Sequence, residues 1–283
     1  MRQKATFHQD AELARELLGL RQRAHIAYRH DSRHVLYTGS EQLHPDNLHG
    51  LAAASGNDYK RAEAASLLEV ADSAPARLAH DLVLIGSPTA EGLSRMIFGY
   101  RQEGDDADSL IMDDGPLDLP YRWIISKADV DERAVARRFV AGRGMVERPN
   151  WRIVGPDRIY VPRVDEDGML AEDYLLVTRV RNYLSAGAVD AGRCVVSFGG
   201  THGTGTRALG LLYRNRRILR ALADQLRTKP AAFQLLLRVG NIVHDPVNGS
   251  RARDAELVGD AIVLPDTDAV WRTAIQCVRK DVA

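Results

Sequence analysis

Arg193-Cys194-Val195-Val196-Ser197-Phe198-Gly199-Gly200-Thr201-His202-Gly203-Thr204-Gly205-Thr206 decides the reading of this chain. Its first half is a continuous apolar run of strand length, the form of a strand buried on both faces. Its second half holds Gly199, Gly200, Gly203 and Gly205, then enters an amphipathic pattern from about Thr206 to Arg227. Ala208, Leu211, Leu212, Leu219, Leu222 and Leu226 line one side of that expected helix; Arg207, Arg214, Arg217 and Arg220 line the other. Glycines let a backbone approach a ligand closely, and a helix start presents unpaired N–H groups and a positive dipole end. Such a loop suits a phosphate or carboxylate. Thr201, Thr204 and Thr206 add hydroxyl donors, and Arg207 adds a charge.

A second unit has the same outline. Asp81-Leu82-Val83-Leu84-Ile85-Gly86 reads as a buried strand. Ser87-Pro88-Thr89-Ala90-Glu91 reads as a tight loop, and Leu93, Met96, Ile97 and Tyr100 as a helix. Strands at 82–86 and 194–199 are therefore expected to be parallel near neighbours, with both following loops at one sheet edge. Parallel-sheet ligands sit beyond the carboxyl ends of strands at such places. Gly86, Ser87 and Thr89 form the second wall of the expected pocket.

The loop fits no established nucleotide fingerprint. It lacks the lysine of a Walker A loop, and its glycine offsets reverse those of the dinucleotide pattern. It is partly similar to the glycine-threonine phosphate loop of tubulin and bacterial cell-division GTPases. Those carry no inserted histidine and use an earlier glycine-rich loop that this chain lacks, so GTPase activity is not carried over. Gly86-Ser87-Pro88 and Gly200-Thr201-His202-Gly203-Thr204-Gly205-Thr206, with Arg181-Asn182 before the second, resemble an uncharacterised prokaryotic Rossmann-like family across about 80–264. The resemblance implies a fold and the position of a site, and no activity.

The expected architecture is α/β and Rossmann-like: a mostly parallel sheet with helices on both faces over 80–283, preceded by a helical extension over 1–79. Within that extension, helices are expected near 13–28 and 58–70, with a strand at His34–Thr38. Further along, 102–118 reads as an exposed acidic loop, 121–126 as a strand and 131–140 as a short helix. Residues 158–161 and 174–180 read as a hairpin pair, and 233–239 and 261–264 as strands.

Composition narrows the function. The 283 residues are 45% hydrophobic and 27% charged, which suits a globular protein. The apolar runs are too short to span a bilayer, and no signal peptide is visible, so a cytoplasmic setting without membrane contact is expected. Thirty-eight basic residues balance 38 acidic ones, which argues against nucleic acid as a partner. Two cysteines suit a reducing compartment. The histidines at 25–49 and the acids at 105–114 lack metal-site spacing, so no metal is expected.

The leading functional expectation is binding of a nucleotide or other phosphate-bearing small molecule, for sensing or regulation. Its cofactor and oligomeric state are left open. One alternative is a nucleotide hydrolase or glycosidase in the same pocket, with His202 or Glu91 moving the proton. Another is an interaction module whose glycines only let helix and sheet pack closely.

Overall fold

The computed structural model describes residues 34–38, 81–88, 94, 97–103, 106–112, 117–124, 135–184 and 186–274. The strands are β1 (His34–Thr38), β2 (Asp81–Ile85), β3 (Tyr100–Glu103), β4 (Asp106–Met112), β5 (Arg122–Ile124), β6 (Val135–Val140) and β7 (Gly144–Pro149). They continue with β8 (Arg152–Val154), β9 (Ile159–Tyr160), β10 (Asp173–Arg181), β11 (Cys194–Gly200), β12 (Phe233–Gly240), β13 (Asp254–Leu257) and β14 (Ile262–Val263). The helices whose bounds lie within the described residues are α1 (Ala186–Asp190), α2 (Gly203–Arg207), α3 (Leu209–Arg214) and α4 (Arg216–Gln225); residues 268–274 are also helical.

The main sheet runs β1-β2-β11-β10-β12-β13, with β14 also on β12. β2 and β11 are parallel neighbours, Leu82 opposite Val195 and Ile85 opposite Phe198, as their apolar runs suggested. β1 joins β2 in parallel. Every other pairing in this sheet is antiparallel. The expectation of a mostly parallel, Rossmann-like sheet is therefore corrected to a mixed one. β10 runs against both β11 and β12, so those two point the same way, and α2–α4 carry the chain between them across β10.

Side-chain alternation assigns the two faces. Ile85, Leu175, Val177, Val196, Phe198, Leu235 and Leu237 pack beneath Leu209, Leu212, Ile218, Leu219 and Leu222 of the helices. Leu82, Leu84, Leu176, Val180, Val195 and Leu236 pack on the opposite side with Tyr121, Trp123, Trp151, Ile153, Tyr160 and Trp271. That second face is met by residues of the small β5-β8-β9 sheet, by the loops beside it and by helical Trp271, which corrects the expectation of helices on both faces of a parallel sheet. Gln234 links the layers: its Oε1 accepts from the Tyr121 amide at 2.8 Å, and its Nε2 donates to the Tyr121 carbonyl and to Thr178 Oγ1, each at 3.0 Å.

Other local expectations change too. The helix expected over 206–227 is three pieces: Ala208 separates α2 from α3, and Asn215 turns extended between α3 and α4, where its side chain caps α4 by accepting from the Arg217 and Ile218 amides. Residues 135–140 form β6, hairpinned to β7, and not the end of a helix. The acidic stretch contributes the β3–β4 hairpin. β9 pairs with β8, and β10 with its two sheet neighbours, so the hairpin expected between 158–161 and 174–180 does not form. Of residues 1–79 only β1 is described; the helices expected there lie outside the described residues.

Candidate functional site

The loops after β2 and β11 lie side by side at one edge of the sheet. Gly86 leaves β2 with φ +138°, a conformation that favours glycine, and its amide donates to the Phe198 carbonyl at 2.9 Å. A Cβ on Gly199 would stand 3.0 Å from the Cα of Ser87. Ser87 is buried in this seam. Thr89 and Glu91, expected as ligand-binding and catalytic groups, lie outside the described residues.

β10 starts at the same edge because it runs opposite to β11, and its first residue is Asp173. The carboxylate is completely buried beneath the glycine-rich loop. Oδ1 accepts from the Tyr174 amide at 2.8 Å, from the His202 amide at 3.2 Å and from the Thr201 hydroxyl. Oδ2 accepts from the Gly205 amide at 2.5 Å. Burial raises the carboxyl from 3.8 to about 6, against the opposing pull of those hydrogen bonds. The anion that the loop chemistry calls for is thus, in part, one of the protein's own side chains.

The glycines follow from this packing. A Cβ on Gly205 would collide with the Tyr174 carbonyl oxygen and stand 2.9 Å from Asp173 Oδ2. A Cβ on Gly200 would run into the His202 carbonyl and the Thr206 amide. Gly200 also donates its own amide to Thr206 Oγ1 at 2.8 Å, so that hydroxyl serves the turn. Gly203 differs, since the nearest atoms to a Cβ there belong to the Arg138 guanidinium, at 3.3 Å.

His202 sits at 5% exposure, with Nε2 3.0 Å from Asn150 Oδ1. The Asn150 amide nitrogen donates to the Pro162 carbonyl at 2.8 Å, which leaves Oδ1 to face the imidazole. An amide oxygen only accepts, so Nε2 carries the hydrogen. Burial, with a smaller contribution from the nearby Arg138 charge, lowers the imidazole from 6.5 to about 3. A neutral ring whose proton is engaged by Asn150 is a poor acid near neutral pH.

Three further groups lie together at the start of α2. The first helical hydrogen bond runs from the Thr206 amide to the His202 carbonyl, so the Gly203 and Thr204 amides precede any intrahelical acceptor. Thr204 Oγ1 is buried with no hydrogen-bond partner, in a residue 1% exposed. Arg138, projecting from β6, supplies positive charge against Gly203. Arg207 is placed elsewhere: its guanidinium donates to the Ser250 carbonyl at 3.0 Å and the Asn248 carbonyl at 3.4 Å.

The loop glycines and threonines were therefore visible in the sequence, whereas Asp173, Arg138 and Asn150 were not. None of the three has a local motif; each arrives from a distant strand or turn. Among the described residues no group of three or more His, Cys, Asp or Glu is arranged to hold a metal. None of their helices is long and apolar enough to cross a membrane. No protein-family model, curated protein or solved structure matches the chain.

Proposed function

We propose that the chain binds a small molecule through a phosphoryl or similar anionic group where the loops after β2 and β11 meet, and that it senses this ligand. A nucleotide is the leading candidate. The observation that carries the reading is Thr204: a buried hydroxyl without a partner at the start of α2, one residue beyond Gly203, which the Arg138 guanidinium approaches. A ligand oxygen would satisfy the hydroxyl, and buried polar atoms left unmatched are costly. Gly205, His202 and Thr201 take a different role from the one their sequence suggests, because they hold Asp173 and through it shape the loop.

Binding is favoured over turnover by the state of His202, whose ring is neutral, buried and committed to Asn150. Two cysteines in 283 residues favour a reducing, cytoplasmic setting. Thermal-shift measurements should compare nucleoside with nucleotide and sugar with sugar phosphate, followed by product analysis of each hit. The phosphorylated partner of a pair should stabilise the protein without being consumed, because a ligand that binds only the folded state raises its stability. Arg138→Gln and Thr204→Val should weaken that ligand, Arg138→Gln by roughly 10- to 150-fold for one charge-assisted bond. Equal shifts within each pair, or none, would contradict the reading; conversion to product would establish the enzymatic alternative.

A further inference from the structure

We infer that the outer face of α3 and α4 is a docking surface for the phosphate backbone of a nucleic-acid duplex. The chain is neutral overall, but its charge is unevenly distributed. Residues 191–223 contain no Asp or Glu and six arginines. Four of these, Arg214, Arg216, Arg217 and Arg220, are exposed within seven residues. Whole-chain neutrality averages this concentration away.

The face is well defined. At 100° per residue, Arg216, Arg217 and Arg220 span about 100° of the α4 surface, diametrically opposite Ile218, Leu219 and Leu222. Those three are buried in the core, so the arginine arc points to solvent. Arg214, Arg217 and Arg220 pair with no carboxylate among the described residues. Asp224, at the far end of the arc, pairs with Arg227 at 3.4 Å. Arg214 suits the carboxyl end of α3, where the helix dipole favours a cation. Arg217 stands in the first turn of α4, which holds no acid and whose dipole disfavours a cation, so helix stability does not explain it.

The surroundings select the partner. Among the described side chains, the large exposed apolar ones are Met145, Ile159, Val161, Val243, Val247 and Val263, none of them on α2–α4. A membrane-surface helix needs apolar groups to insert, and a protein interface needs apolar anchors at its centre. Phosphate contacts need only charge and reach, and guanidinium groups bind phosphate bidentately. Arg216 and Arg220 are separated by about 6 Å along the helix, close to the rise of two base-pair steps.

The test uses the full chain and a fluorescent 24-base-pair DNA duplex of arbitrary sequence, read by anisotropy from 50 to 200 mM salt. Three phosphate contacts predict about a 40-fold loss of affinity across that range. Replacing Arg214, Arg217 and Arg220 together with Gln should abolish the salt-dependent binding at an unchanged melting temperature, while Lys at all three should retain it. Arg227→Gln, on the paired arginine, should have little effect. Absence of duplex binding at 50 mM salt would overturn the inference. So would equal binding by the triple Gln variant, or loss of binding to anionic lipid vesicles in place of the duplex.

Discussion

The amide of Gly205 donates to the carboxylate of Asp173 across 32 residues of chain, tying the first turn after β11 to the start of the antiparallel strand beside it. This bond makes Gly205 a packing requirement, and it leaves Gly203, two residues earlier, to face solvent and Arg138.

Gly205→Ala and Gly203→Ala should therefore behave differently. The first sets a methyl group against the Tyr174 carbonyl and the Asp173 carboxylate. It should cost roughly 3 kcal/mol, at the upper end of overpacking effects. The second meets the Arg138 guanidinium at 3.3 Å and should cost much less, under about 1 kcal/mol, because a side chain can give by a few tenths of an ångström where a backbone carbonyl cannot. Denaturant unfolding of both variants checks this; equal losses would mean that the loop glycines share one role.

Asp173 and His202 oppose each other in pH dependence. With Asp173 held at about 6, the folded chain keeps a proton there that the unfolded chain releases above 3.8. This contribution favours folding at low pH and is lost as pH rises through about 6. His202, held at about 3, stays unprotonated while an unfolded histidine binds a proton below 6.5, so its contribution is lost as pH falls. Between about pH 4 and 6 the two nearly cancel. Asp173→Asn removes one side of the balance. Relative to wild type, its stability should fall by roughly 1.4 kcal/mol per pH unit as pH drops from 6 to 4. Parallel profiles for the two proteins would refute the opposing pair.

Much of the sheet was legible because β2, β11 and β12 contain apolar runs of strand length that end at Gly. The topology was not. Two similar strand-loop-helix units suggested a parallel sheet, but β10 returns antiparallel into the gap between β11 and β12, and no property of Tyr174-Leu175-Leu176-Val177 reveals that direction. β6 was missed because Arg137 and Arg138 interrupt its alternation, although the Gly142-Arg143-Gly144 turn was a hairpin signal. Asn215 carried a helix-start cue that the surrounding leucine stripe obscured. Asp173 carried none, since a single acid before an apolar strand acquires meaning only when its partners are brought to it.

Arg207 separates structure from binding. Its guanidinium secures the turn at 248–250, whose Ser250 hydroxyl accepts from the Phe139 amide at 2.8 Å. Arg207→Ala should lower stability by about 2 kcal/mol, the loss of charge-assisted hydrogen bonds, and leave affinity for a phosphate-bearing ligand unchanged. Calorimetric titration alongside a melting curve checks both. A large loss of affinity at unchanged stability would return Arg207 to the binding site.

Backbone amide NMR during titration with inorganic phosphate, and then with a nucleotide, tests the binding site most directly. The Gly203 and Thr204 resonances should move together and saturate, while the Gly205 and His202 amides, held by Asp173, should move much less. Arg138→Gln should suppress the movement. Saturating shifts confined to 248–250 around Arg207, or no saturating shift at 203–204 with either ligand, would contradict the site.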